Sequence, residues 1–351
     1  MAVISDPMRK SIGTAALLIV AVALVTLIGM QLSGGMQRII TSAMLKLIIV
    51  VGSYIFIGNS GVLSFGHIGF LGLGAYTSAW VSIAPSVKSG LMPGLPPYIM
   101  GLELSPLWGA LAGGFLSAFV ALLFGLPLTR LAGIAASIGT FAMLSILYAL
   151  FSNWTPVTGG QGSLYGLPIF TNLPVAAAFA SAAILIAAIY QASASGFRLR
   201  GSREDPVAAK AVGIDIRRER LISFVISAFV VGVAGALYAS HLQVVVAGEF
   251  YLKLTFITVA ILVIGGMRSL TGAVTGTAFV ALLSEILRQA EKGIDLGSFV
   301  LGGRLGLQEI GLAVVMLAVL IYRPRGISNG KEIGLPSLTK RQIIPVSGDL
   351  K

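Results

Sequence analysis

Ten long apolar runs constrain this chain more than any other feature, because about 20 such residues are needed to cross a hydrocarbon core ~30 Å thick. They lie near residues 11–32, 39–58, 62–84, 106–126, 131–151, 175–192, 221–240, 254–266, 270–287 and 306–322. Charged residues make up 11% of the chain, against about 25% in soluble domains. The runs are continuous and do not alternate, which excludes the two-residue period of an outer-membrane barrel. The first run follows Met8-Arg9-Lys10 as a signal peptide would. It is longer than a signal core and no small-residue cleavage site follows, so it is read as the first span. The expectation is an all-α polytopic membrane protein of about ten helices, some of them broken or re-entrant.

The net charge of +11 would suggest nucleic acid in a soluble protein. Among membrane spans it reads first as topology, because cytoplasmic loops collect Lys and Arg. With the N-terminus inside, 17 of the 24 Lys and Arg fall in inner segments, among them Arg130, the cluster from Arg198 to Arg220, Arg268, Arg323, Arg325, Lys340, Arg341 and Lys351. Arg38, Lys88, Lys253, Arg288, Lys292 and Arg304 fall outside. Trp80, Trp108 and Trp154 mark outer ends, as interfacial anchors. Lys46 falls inside a drawn span and is read as a sign that this span starts later than residue 39; a charge facing a pore is the other reading. The expected organisation is a six-helix half (1–192), a cytoplasmic loop (193–220), a four-helix part (221–322) and a basic cytoplasmic tail (323–351).

The chain holds 44 glycines and no cysteine. Disulfides and thiolate chemistry are excluded, and two histidines leave little for an imidazole metal centre. Helices associate in lipid through close approach at small residues. Gly109, Gly113, Ser117, Ala121 and Gly125 form one such face, and Ala228, Gly232 and Ala236 another.

Two polar breaks interrupt the apolar pattern. Gly58-Asn59-Ser60-Gly61-Val62-Leu63-Ser64-Phe65-Gly66-His67 is either a broken helix on a translocation path or a tight inner turn with His67 as a hydrogen-bonded packing residue. Thr155-Pro156-Val157-Thr158-Gly159-Gly160-Gln161-Gly162-Ser163 lies in an uncharged outer loop. That loop folds back into the bundle, lies under a docking partner, or stays a flexible surface loop. It lacks the Gly-Lys-Ser/Thr ending of a phosphate loop, so no nucleotide site and no cofactor is expected in this chain. Asn59, Ser60, Ser64, His67, Thr158, Gly159 and Gly160 are the candidate path residues.

The segment from Gly201 to Asp215 is the most informative. Asp205 suits a helix N-cap, Pro206 its first position and Gly213 its C-terminal stop. A helix of about two turns is unstable alone in water, so it is expected to dock on something. On the cytoplasmic side that is a soluble partner or, equally, a lipid surface. Asp215 then caps a second helix that runs through Arg217, Arg218 and Arg220 into the next span.

This segment resembles the coupling loop of ABC importer permeases of the branched-chain amino acid family. The resemblance extends along most of the chain. It includes Gly61-Val62-Leu63-Ser64-Phe65-Gly66-His67 with Gly69 to Tyr76, Thr158-Gly159-Gly160-Gln161-Gly162, and Ala208-Ala209-Lys210-Ala211-Val212-Gly213-Ile214. Ser227-Ala228-Phe229, Gly232 to Tyr238, Gly265-Gly266-Met267-Arg268-Ser269-Leu270-Thr271-Gly272 and Arg323-Pro324-Arg325-Gly326 follow in order. It implies the ABC importer permease fold in a bacterial inner membrane. It also implies no ATPase in this chain, a second related permease, two cytoplasmic subunits that bind ATP, and a periplasmic substrate-binding protein. Glu204, Asp205, Ala208, Ala209, Gly213 and Ile214 would form the ATPase-coupling helix. Branched-chain amino acids are the implied substrate, with other amino acids, amides and urea as alternatives. The rival reading is an ion-coupled secondary transporter, which would need intramembrane carboxylates; Glu285 and Glu309 are the candidates.

Overall fold

The computed structural model describes residues 5–291, 294–295, 300–301, 306–323 and 325–333. Lys292, Arg304, Pro324, Lys340, Arg341 and Lys351, and the side chains of Arg9, Lys10 and Glu309, lie outside the described residues.

Every one of the ten apolar runs forms a helix. In chain order the helices are α1 (Ser5–Met30), α2 (Gly34–Ser60), α3 (His67–Ser82), two short turns α4 (Pro85–Leu91) and α5 (Pro97–Met100), α6 (Pro106–Leu128), α7 (Gly133–Asn153), the turn α8 (Thr155–Thr158) and α9 (Leu173–Ala192). They continue with α10 (Ala194–Glu204), α11 (Pro206–Ala211), α12 (Ile216–Leu242), α13 (Leu252–Gly265), α14 (Leu270–Glu291) and α15 (Leu307–Tyr322). Among the described residues eight helical stretches are long and apolar enough to cross a membrane, α13 counting together with the turn before it as Ala247–Gly265, fewer than the ten expected. The two that fall short are α3 and α15, of 16 residues each, about 24 Å at 1.5 Å per residue. For α3 the cause is the glycine-broken stretch before it. Gly61 ends α2 in the left-handed region at φ +71°, and residues 61–66 run without helix to His67.

The core is built around α12, which packs on α2, α3 and α6. The two small-residue faces meet there. Gly109, Gly113, Ser117, Ala121 and Gly125 are all buried, as are Ala228, Gly232 and Ala236. The helices touch backbone to backbone: a Cβ at Gly74 would stand 1.8 Å from the Gly232 carbonyl oxygen, and one at Gly235 would stand 1.9 Å from that of Leu71. Ser117 Oγ donates to the Phe70 carbonyl at 3.0 Å, and Ser227 Oγ to that of Gly52 at 2.7 Å. In α3 every residue from His67 to Ala79 is buried, so this helix is walled in by protein.

The uncharged outer loop folds back onto the bundle. Its strand β1 (Ser163–Tyr165) pairs antiparallel with β2 (Val244–Val246) after α12. The Trp80 indole donates to the Val157 carbonyl at 3.0 Å, and Gly94 N–H to that of Pro156 at 2.8 Å. Lys88 in α4 is fully buried and donates to the carbonyls of Ile99 and Leu102; burial lowers its pKa, with Glu103 opposing. A second pair, β3 (Ile294–Asp295) with β4 (Val300–Leu301), lies between α14 and α15. Helix α2 starts at Gly34, five residues before the apolar run, and Lys46 stands midway along it.

Candidate functional site

The charged segment after α9 forms an elbow of three helices on the face that carries the basic loops. The first of them, α10, was not foreseen, because Phe197-Arg198-Leu199-Arg200-Gly201-Ser202-Arg203 is rich in charge and glycine and shows no apolar stripe. Ser193 starts it, accepting from Gly196 N–H at 3.1 Å, and side chains bolt it to its neighbours. Arg198 pairs with the buried Glu219 of α12 at 3.0 Å, and Ser195 donates to the same carboxylate. Arg200 donates to the Asn59 side-chain oxygen at 3.1 Å, and Arg203 to the Gly58 carbonyl at the end of α2. Gly61 has no side chain because Arg203 lies over it: an added Cβ would stand 2.5 Å from Arg203 Cγ. Glu204 completes the corner, 2.8 Å from Arg203 and 3.8 Å from Arg268 of the α13–α14 loop. The hydrogen bond from Arg203, followed by the charges of Arg203 and Arg268, lowers its carboxyl pKa.

The second helix, α11, is capped as the sequence predicts. Asp205 Oδ1 accepts from Val207 and Ala208 N–H at 2.9 and 3.0 Å, with Pro206 next to it. Gly213 closes it at φ +81°, a conformation that costs other L-residues about 1–2 kcal/mol. Asp215 then accepts from Arg217 and Arg218 N–H at 3.1 and 3.2 Å and starts α12. Ala209 faces inward and is buried. Glu204, Asp205, Ala208 and Gly213 are exposed, and Ile214 is half-buried. Two residues absent from the sequence-based list stand out. Val207 is 79% exposed and Val212 75%, so a six-residue helix and the cap residue that follows it, held at both ends, present two apolar knobs away from the bundle. Counting apolar residues on the outward face of so short a helix was the signal that would have found them.

The α13–α14 loop and the following chain reinforce the same face. Glu332 accepts from Leu270 N–H at 2.7 Å, Thr271 N–H at 2.9 Å, Thr271 Oγ1 at 2.7 Å and Gln191 Nε2 at 2.9 Å. A carboxylate at a helix N-terminus is favoured by the helix dipole. Ser269 and Ser328 hydroxyls meet at 2.8 Å.

The expected path residues separate into two groups. Asn59 is fully buried and joined to Arg200, and the Ser60 hydroxyl accepts from Val62 N–H at 3.1 Å; both belong to the elbow. Ser64 and His67 line a cavity of about 10 Å³ with Ser53, Thr255 and Thr258, the room of about one water. His67 is packed among Phe56, Phe70 and Phe224. It differs from a hydrogen-bonded packing residue, because neither ring nitrogen has a partner among the described residues. Thr158, Gly159 and Gly160 lie beyond the other end of α3, beside Trp80, about 20 Å from His67 along that helix. There Thr158 Oγ1 donates to the Phe151 and Trp154 carbonyls, and both glycines have positive φ. The structure does not bring the two groups together.

Comparison with known proteins gives this architecture its relatives. The family model described as the branched-chain amino acid transport system permease component matches residues 35–320. The high-affinity branched-chain amino acid transport system permease protein LivM of Escherichia coli K12 is 25% identical over 93% of this chain and 76% of its own length. The probable branched-chain amino acid transport permease protein LivH of Methanocaldococcus jannaschii is 30% identical over 38% of this chain and 40% of its own length. The nucleoside ABC transporter permease protein NupC of Lactococcus lactis is 23% identical over 76% and 83%. The chain therefore belongs to the branched-chain amino acid transport permease family and is a multi-pass membrane transport subunit of an ABC system, a family of permeases and not of enzymes.

Proposed function

We propose that the chain is one permease of an importer that moves branched-chain amino acids, or a related small neutral or zwitterionic solute, across a bacterial inner membrane by alternating access. The chain pairs with a second homologous permease. Two cytoplasmic subunits bind and hydrolyse ATP, and a periplasmic binding protein delivers the solute. The basic elbow face is cytoplasmic by the positive-inside rule, which puts both termini inside and the β1–β2 loop on the side of the binding protein. The observation that carries the reading is the pair of exposed apolar side chains, Val207 and Val212, on a helix clamped by Asp205 and Gly213.

Each ATPase subunit grips such a helix. When ATP draws the two ATPases together, α11 moves with them, and Asp215 passes the motion to α12 with no flexible linker between. Arg200 and Arg203 pass it to the end of α2, and Arg268 to the α13–α14 loop. A ligand shifts such an equilibrium only by its differential affinity for the two states; here ATP supplies it at the partner subunits. The branched-chain relatives support that substrate class, and the nucleoside permease relative supports extending it to other small neutral solutes. The test is the double variant Val207→Glu, Val212→Glu in the full importer reconstituted in vesicles. Expected is normal insertion of this chain with loss of ATPase capture and of ATP-driven uptake of leucine. Undiminished uptake would overturn the reading.

A further inference from the structure

Facing polar stripes on two membrane helices carry charge that the transport reading leaves unused. On α2, Arg38, Ser42 and Lys46 recur every four residues and so share one face over about 12 Å. Opposite them on α14 stand Ser284, Glu285 and Arg288. Together they line a cleft of about 280 Å³. Arg288 grips Glu285 through two hydrogen bonds, at 2.7 and 2.9 Å, which cancels one positive charge. Arg38 and Lys46 have no ion-pair partner among the described residues. Two cations on one wall of a membrane cleft call for an anion.

Beside the cleft lies an apolar groove of about 510 Å³ between α1, α2 and α14, and Ile39, Ala43, Ala281 and Glu285 line both. The groove follows α14 from Gln289 to Val274, about 22 Å at 1.5 Å per residue, and Val22, Val25, Ile40, Leu47 and Leu282 line it. A small solute fills the polar cleft and leaves this run empty. An occupant with an anionic head and a long apolar chain fills both.

We infer that an anionic phospholipid occupies this site, its phosphate between Arg38 and Lys46 and one acyl chain along the groove. Lys46 reaches the phosphate by extending its apolar stem along the cleft wall, as lysines near lipid do. The site is independent of which solute the subunit moves.

The test uses the full chain with its co-purifying partners in mixed micelles holding equal amounts of phosphatidylglycerol and phosphatidylethanolamine, with retained lipid identified by native mass spectrometry. Two uncompensated cations predict a preference of about thirtyfold for the anionic lipid. The preference is lost in Arg38→Gln/Lys46→Gln and kept in Lys46→Arg, which separates loss of charge from loss of fold. Equal retention of the two lipids, or an unchanged preference in the double variant, overturns the proposal. Two competition arms test for a soluble occupant. Displacement of the lipid by L-leucine assigns the cleft to the solute, and displacement by glycerol phosphate assigns it to a free anion; either result also overturns the proposal.

Discussion

Replacing Gly74 by Ala adds one methyl group at the tightest contact of the bundle. Its Cβ would stand 1.8 Å from the Gly232 carbonyl oxygen, with the Gly232 carbonyl carbon at 2.6 Å and Cα at 2.9 Å. Those atoms are backbone of α12, so no side chain can rotate away. Helix α3 has to retreat by about 1.2 Å to reach the closest separation that real Cβ atoms show, and a radial gap of 0.5–1 Å already forfeits about a quarter to a half of a van der Waals well. Overpacking costs about 1–3 kcal/mol when side chains give way and more when they cannot, so about 3 kcal/mol or more is expected. The companion variant is Gly201→Ala in α10, where an added Cβ meets nothing within 4 Å. Removing a glycine from a helix interior gains up to about 1 kcal/mol. Monodisperse protein remaining after graded heating in mild detergent, read by size exclusion, should fall sharply for Gly74→Ala and hold or rise for Gly201→Ala. If Gly74→Ala survives heating as well as the parent, the backbone contact between α3 and α12 is not as described.

Glu332→Ala removes four hydrogen bonds that meet at the start of α14 and should cost about 2–3 kcal/mol, charge-assisted bonds being the stronger kind; the same heating assay should show Glu332→Gln losing less. Gly213→Ala forces a left-handed conformation at about 1–2 kcal/mol, so limited proteolysis of the intact complex should cut between residues 205 and 215 sooner, with Gly213→Asn in between because Asn tolerates that conformation. Glu204 has a native pKa below its ordinary value of 4.5. Its link to Arg203 and Arg268 therefore stabilises the elbow fully above that value, and the contribution is lost as pH falls from there through the lowered one. Hydrogen exchange over residues 200–215 should show that acid step in the parent and not in Glu204→Gln.

Much of the architecture was legible because lipid imposes few solutions. Each apolar run became a helix, and the faces built from Gly109 to Gly125 and from Ala228 to Ala236 pack as small-residue faces must. The caps at Asp205 and Asp215 and the stop at Gly213 were also readable, since each rests on a local backbone requirement. Long-range contacts were not. Nothing in the sequence ties Arg203 to Gly58, Gln191 to Glu332 or Leu164 to Val245, because these meet only after the bundle closes. The break before His67 marks where α2 ends and α3 begins, yet sequence spacing could not tell that Asn59 turns toward Arg200 while Thr158 sits at the far end of α3. A run of hydropathy around Lys46 locates an apolar stretch, whereas the helix starts wherever its hydrogen bonds start, here at Gly34.

The enclosure of α3 has a consequence for how the chain is made. Two of its walls, α6 and α7, follow soon after it in the chain, but the third, α12, which closes on Gly74 from the other side, begins about 130 residues after α3 ends. At a synthesis rate of about 5–20 residues per second, α3 waits on the order of ten seconds for that neighbour. It waits as a helix too short to cross the bilayer, with only the α6 side of Gly74 packed. A nascent chain that stops before α12 leaves the other side of that glycine backbone uncovered.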